Sequence, residues 1–147
     1  MQIADILEKT EASREQLDLA LEGLTPEQMA VPGVMGAWSV KDILAHIATW
    51  QSRLVRLLFQ LARQQKPQWD MRDVDGINAQ IYAQQKDRPL DLVLEDYEGV
   101  FEQVCLRLEA LREADLARRV GNATLAEIIA ANTVSYTHLT LPTSDLV

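Results

Sequence analysis

The chain carries one cysteine, Cys105, so an internal disulfide framework is excluded. Positive charge is also short. Fourteen lysines and arginines face 22 aspartates and glutamates, for a net charge of -8. So acidic a surface repels phosphate backbones and anionic lipid, which argues against nucleic acid and membrane as partners. No apolar run approaches the ~20 residues needed to span a bilayer. The start, Met-Gln-Ile-Ala-Asp-Ile-Leu-Glu-Lys, lacks the basic segment and apolar stretch of a signal peptide. These absences fit a cytoplasmic, bacterial-type protein. Familiar catalytic signatures are missing too: no Cys-x-x-Cys pair, no His-Glu-x-x-His, no phosphate-cradling glycine loop and no Gly-x-Ser-x-Gly elbow. The paired Glu-x-x-His motifs of a di-iron bundle are absent as well.

What the chain does have is apolar residues at helical spacing. Of its 147 residues 48% are hydrophobic, enough for the core of one domain; chains of this length bury about 70% of their unfolded surface. Ile3, Ile6, Leu7, Thr10, Leu17 and Leu21 share one helical face, and Gly23 and Leu24 end that helix. Thr25-Pro26-Glu27-Gln28 reads as a capped single turn, followed by loop residues 31–36. Ser39 caps a long second helix, with Asp42 three residues on and a stripe from Val40 to Leu61. Residues 66–69 form a connector. Asp75 is the expected cap of a third helix carrying Ile77, Ile81 and Tyr82. Arg88-Pro89 interrupts or kinks that helix, and the pattern resumes from Val93 to Leu111. Thr124 and Glu127 form another capping box and open a last helix. Four amphipathic helices with short connections predict an all-α bundle.

The stretch most suggestive of chemistry is Gly36 to Trp50. His46 and Trp50 lie four apart and share a face. Asp42 lies four before His46 and can accept its ring N–H, as a carboxylate orients a ligand histidine. One reading is a metal ligand or acid/base group lining a cavity. The other is a core histidine bonded to Asp42 or to a backbone carbonyl; the residues alone favour this one, since a lone histidine cannot hold a metal. Asn78 and Tyr82 are also four apart. Facing inward they offer an amide and a phenol to a ligand; otherwise they tie the helix start to its loop. Trp38 reads as a packing plug, Tyr97 as core with its hydroxyl at the rim, and Cys105 as an inert buried thiol.

These stretches resemble the ClbS/DfsB family of four-helix bundle proteins within the DinB-like superfamily. The matching text is Leu24 to Gln28, Gly36 to Trp50, Ile77 to Tyr82, Asp87 to Leu90 and Glu127 to Thr133. The resemblance implies an up-down-down-up bundle with an inter-helix cavity. His46, Trp50, Asn78 and Tyr82 would line it and take a small molecule. Relatives often bind a divalent metal through a histidine on the second helix and two on the last; His46 matches the first. Some transfer low-molecular-weight thiols. The members that named the family hydrolyse a DNA-damaging natural product in self-protection. Three functions are therefore expected: small-molecule binding in stress or toxin self-protection, a metal-dependent transferase or hydrolase using His46, or a non-catalytic sequestering protein. Whether the chain is an enzyme is left open.

From Val134 the helical period is lost. Val-Ser-Tyr-Thr-His-Leu is what a transposon end used to prepare sequencing libraries encodes, so residues 134–147 read as translated adapter and residues 1–133 as the bundle. His138 then carries no function. The last helix falls short of the roughly 20 residues its partners have, and the apolar faces left open would favour a homodimer.

Overall fold

A computed structural model describes residues 2–67, 69 and 73–134. Helix α1 (Ile3–Leu21) opens on a box between Gln2 and Asp5 and stops before Gly23, whose φ of 84° breaks the helical path. The single turn α2 (Pro26–Met29) is capped by Thr25, whose hydroxyl accepts the Gln28 N–H at 3.1 Å. Helix α3 (Val40–Ala62) is capped in the same way by Ser39 and Asp42.

Helix α4 (Val74–Gln85) departs from expectation at its start. Its cap is Asp73, not Asp75, which sits in the first turn. Asp73 Oδ1 accepts the Gly76 N–H at 3.0 Å. The approach is so close that a Cβ on Gly76 would lie 2.2 Å from Asp73 Oδ2. Helix α5 (Leu90–Glu109) starts afresh after Pro89, so the Arg88-Pro89 step separates two helices. Lys41 Nζ braces this corner, donating to the carbonyls of Lys86 and Arg88 at 2.8 and 2.9 Å.

After α5 come a 3-10 turn (Glu113–Ala117) and a hairpin of two-residue strands, β1 (Arg119–Val120) and β2 (Ala123–Thr124), with Gly121 at φ 65°. The hairpin is a connector and adds no layer to the bundle. It leads into α6 (Leu125–Thr133), capped by Thr124 and Glu127.

Side-chain pairings fix the helix directions. The far end of α3 (Leu54, Leu57, Leu58, Leu61) packs with the far end of α5 (Val104, Leu108) and the start of α6 (Leu125, Ile128). The start of α3 (Leu44, Ile47) packs with the start of α5 (Val93, Tyr97) and the end of α1 (Leu17, Leu21). Thr10 bonds Thr133, and Ile3 N–H bonds Glu113, so α1 runs with α6 and against α5. The order is up-down-down-up over α1, α3, α5 and α6, with α4 laid against α3. Fully burying a leucine such as Leu54 or Leu57, both 0% exposed, contributes about 1.5–3 kcal/mol. Among the described residues no helix is long and apolar enough to cross a membrane. The expected adapter tail and His138 lie, beyond Val134, outside the described residues.

Candidate functional site

The capping box at Ser39 sets the site. By fixing the first turn of α3, it puts His46 and Trp50 on the face that meets α4. Trp38, immediately before the cap, is pinned by backbone bonds to Met35. His46 is 1% exposed and Trp50 0%. The Trp38 and His46 rings lie 5.0 Å apart and the His46 and Trp50 rings 6.3 Å apart, both tilted.

Helix α4 supplies the opposite wall. Asn78, its side chain buried, accepts the Trp50 indole N–H on Oδ1 at 2.9 Å. One turn on, the Tyr82 ring stacks on Trp38 at 5.8 Å with 2° between planes. His46, Trp50, Asn78 and Tyr82 therefore lie in one cluster, joined through Trp38. The imidazole faces indoles and lies away from bulk water.

One local reading needs correction. Asp42 does not orient His46: its Oδ2 accepts the Ser39 N–H and O–H, each at 2.9 Å, because the helix start has first claim on a carboxylate three residues into it. Asn78 and Tyr82 make separate contacts on one face of α4: Asn78 holds Trp50 and Tyr82 covers Trp38. Trp38 is a wall of the cluster as well as a plug. Two members escaped the sequence reading altogether. Trp69 packs edge-on to Trp50 at 6.0 Å, and the Arg53 guanidinium lies over both rings, 4.7 Å from Trp50 and 5.8 Å from Trp69. Arg53 had a signal, since it stands three residues after Trp50 on a helix. Trp69 had none, because a connector carries no period.

A second buried polar group ties the last helix in place. Gln51 Nε2 donates to the Asn132 carbonyl at 3.1 Å, and Asn132 Nδ2 to the Ile128 carbonyl at 2.7 Å. Cys105 is half-buried; burial and the carboxylates of Glu11 and Glu109 push its thiol above the ordinary value, against the pull of Arg14. It is therefore a protonated, weakly nucleophilic thiol at neutral pH. Among the described residues no group of three or more His, Cys, Asp and Glu can hold a metal ion. His46 alone does not fit a divalent cation.

The cluster therefore sets one imidazole, a group able to exchange a proton near neutral pH, among indole and phenol rings and out of bulk water.

Comparison with known proteins bears on the fold. Residues 9–139 match the family described as the DinB superfamily. No curated protein matches. The chain is similar in structure to an uncharacterised protein from Escherichia coli UTI89, solved by crystallography. The TM-score is 0.82 at 15% identity, over 91% of this chain and 85% of the other. At that identity the likeness extends to the fold alone.

Proposed function

Because the chain belongs to the DinB superfamily, we propose that it binds a small organic molecule between α3 and α4, where His46, Trp50, Asn78 and Tyr82 converge. The observation that carries this is the buried imidazole, 1% exposed, walled by the Trp38, Trp50 and Tyr82 rings. Apolar walls with a few fixed polar groups are the usual make-up of a small-molecule site. The matched ClbS/DfsB motif text supports a role in stress or toxin self-protection.

A thermal-shift screen of flat, hydrophobic metabolites and natural products tests the reading. A hit should raise the melting temperature of the wild type and lose affinity in Tyr82→Phe and Asn78→Ala. Unchanged affinity in both variants removes the pocket. A metal-dependent transferase or hydrolase would need two further ligands from a native last helix in place of the adapter-like residues. Metal analysis of the protein with its native C-terminal sequence restored, and of His46→Ala in that protein, decides that reading: a divalent ion lost on substitution supports it, and none in either protein defeats it. A sequestering protein would bind the hit and return it chemically unchanged.

A further inference from the structure

The His46 imidazole is 1% exposed, so a small molecule reaches it only when a wall of the cluster moves. The walls differ in how they are held. Trp50 stands on α3, which buries residues along its length from Leu44 to Leu61. Trp38 is tied to Met35 by backbone bonds in both directions, just before the Ser39 cap. Tyr82 stands on α4, whose buried residues are Asn78 and Ile81. Among the described residues α4 packs against α3 and against no other helix to a comparable extent.

Helix α4 is also weak by itself. Its twelve residues lie at the lower edge of the ~12–15 that sustain an isolated helix. They include Gly76 and the modest helix formers Val74, Asp75, Ile77, Asn78 and Ile81. Away from α3 this segment melts. What docks it is short to name: the Ile81 side chain, 5% exposed, the bond from Trp50 to Asn78 at 2.9 Å, and the Tyr82 ring on Trp38. A segment with so few buried apolar contacts opens at a lower free energy than the core. Its C-terminal end is tethered separately. Lys41 Nζ holds the carbonyls of Lys86 and Arg88, just past the last turn of α4, at 2.8 and 2.9 Å. Release of α4 therefore uncovers His46 and the Trp38 and Trp50 faces while the corner at Arg88-Pro89 stays pinned to the start of α3.

Granted the binding site between α3 and α4, we propose that α4 is its lid: it melts off α3 to admit the ligand and re-forms over it, tethered at the Lys41 corner. Native-state hydrogen exchange of the full chain across low urea concentrations tests the lid without any ligand. Thiol labelling tests whether the same opening reaches the site. His46→Cys/Cys105→Ser leaves one thiol, at position 46, since Cys105 is the native chain's one cysteine, and dithiobis(nitrobenzoate) is the probe. Amides of α4 should exchange faster than those of α5 and with a shallower urea slope, because less surface is exposed. The thiol should be labelled through an opening of the same shallow slope. Ile81→Val should speed both about fivefold. Thr124→Ala, at the far cap of α6, should speed α5 exchange about fivefold and leave α4 exchange and labelling unchanged.

The lid is overturned if α4 exchange or labelling shares the urea slope of α5, or if Thr124→Ala speeds them as much as the core; α4 then opens only with the whole bundle. Labelling indifferent to Ile81→Val overturns it too and assigns access to another wall. Labelling as fast as that of the urea-unfolded chain means that position 46 stands open, with no lid. A lid that passes these tests, beside a ligand screen whose hits ignore Tyr82→Phe and Asn78→Ala, leaves the lid standing and removes the pocket.

Discussion

Trp50 shows how one side chain joins the scaffold to the site. It is 0% exposed, and its indole N–H is spent on Asn78 Oδ1 at 2.9 Å. That single bond links α3 to α4 at the point where the candidate site closes. Asn78→Ala removes the acceptor and should destabilise the protein by about 1–3 kcal/mol, seen as a lower urea midpoint at constant slope. The effect belongs to the pair. Combined with Trp50→Phe, the two costs should fall short of additivity by at least about 0.5 kcal/mol. Strict additivity would mean that the bond holds nothing. His46 lies beside it against the rings of Trp38 and Trp50, and Asp42, the carboxylate nearest in sequence, is committed to Ser39.

At the scale of elements, the helix starts carry much of the specification. Helix α6 has nine described residues, below the ~12–15 that sustain an isolated helix, so it depends on its cap and on the burial of Leu125, Ile128 and Ile129. Thr124 accepts the Glu127 N–H at 3.2 Å, while Glu127 Oε1 accepts the Thr124 N–H at 2.9 Å. Thr124→Ala should cost about 1 kcal/mol in urea unfolding. The 3-10 turn before the hairpin is held likewise. Asp115 accepts the Arg112 N–H at 3.0 Å, and that bond holds its carboxyl below the usual aspartate value. A lowered folded pKa gives stability that is present above the unfolded value and lost as pH falls through the folded one. The stability gap between the wild type and Asp115→Asn should therefore be wide at about pH 6 and narrow toward pH 3; a gap independent of pH removes this role. Such devices explain what was legible. Capping boxes at Thr25, Ser39 and Thr124 span four residues each, so sequence displays them whole. Asp73 and Asp75 are both competent caps, and the choice between them rests on how closely Gly76 lets the backbone approach. The hairpin has two residues per strand, too few to show a period. Arg14, Gln51 and Asn132 count as polar by type; only neighbours on other helices bury them. In the candidate site, the i, i+4 spacing displayed His46 with Trp50 and Asn78 with Tyr82. The bond from Trp50 to Asn78, the stack of Tyr82 on Trp38 and the arrival of Trp69 are contacts between elements, which no local spacing encodes.

Over the whole molecule, charge is the term that packing does not absorb. The chain carries 22 acidic against 14 basic residues. The ion pairs that form, such as Arg88 with Asp96 and Arg112 with Asp115, are partly exposed and contribute little each. Folding brings the remaining carboxylates closer, above all on α1, where Glu11, Glu15, Asp18 and Glu22 share with Glu98 of α5 a surface groove between the two helices. Self-repulsion of this kind opposes the compact state and is screened by salt. Raising sodium chloride from about 20 to about 300 mM shortens the screening length from about 20 Å to about 6 Å. The unfolding free energy in urea should rise by about 1 kcal/mol over that range. Urea is required, since guanidinium chloride would itself supply the screening. If the groove carboxylates dominate, Glu15→Lys/Glu98→Lys should be more stable than the wild type at low salt and less sensitive to added salt. A wild type indifferent to salt would mean that the acidic residues are spread too widely to repel.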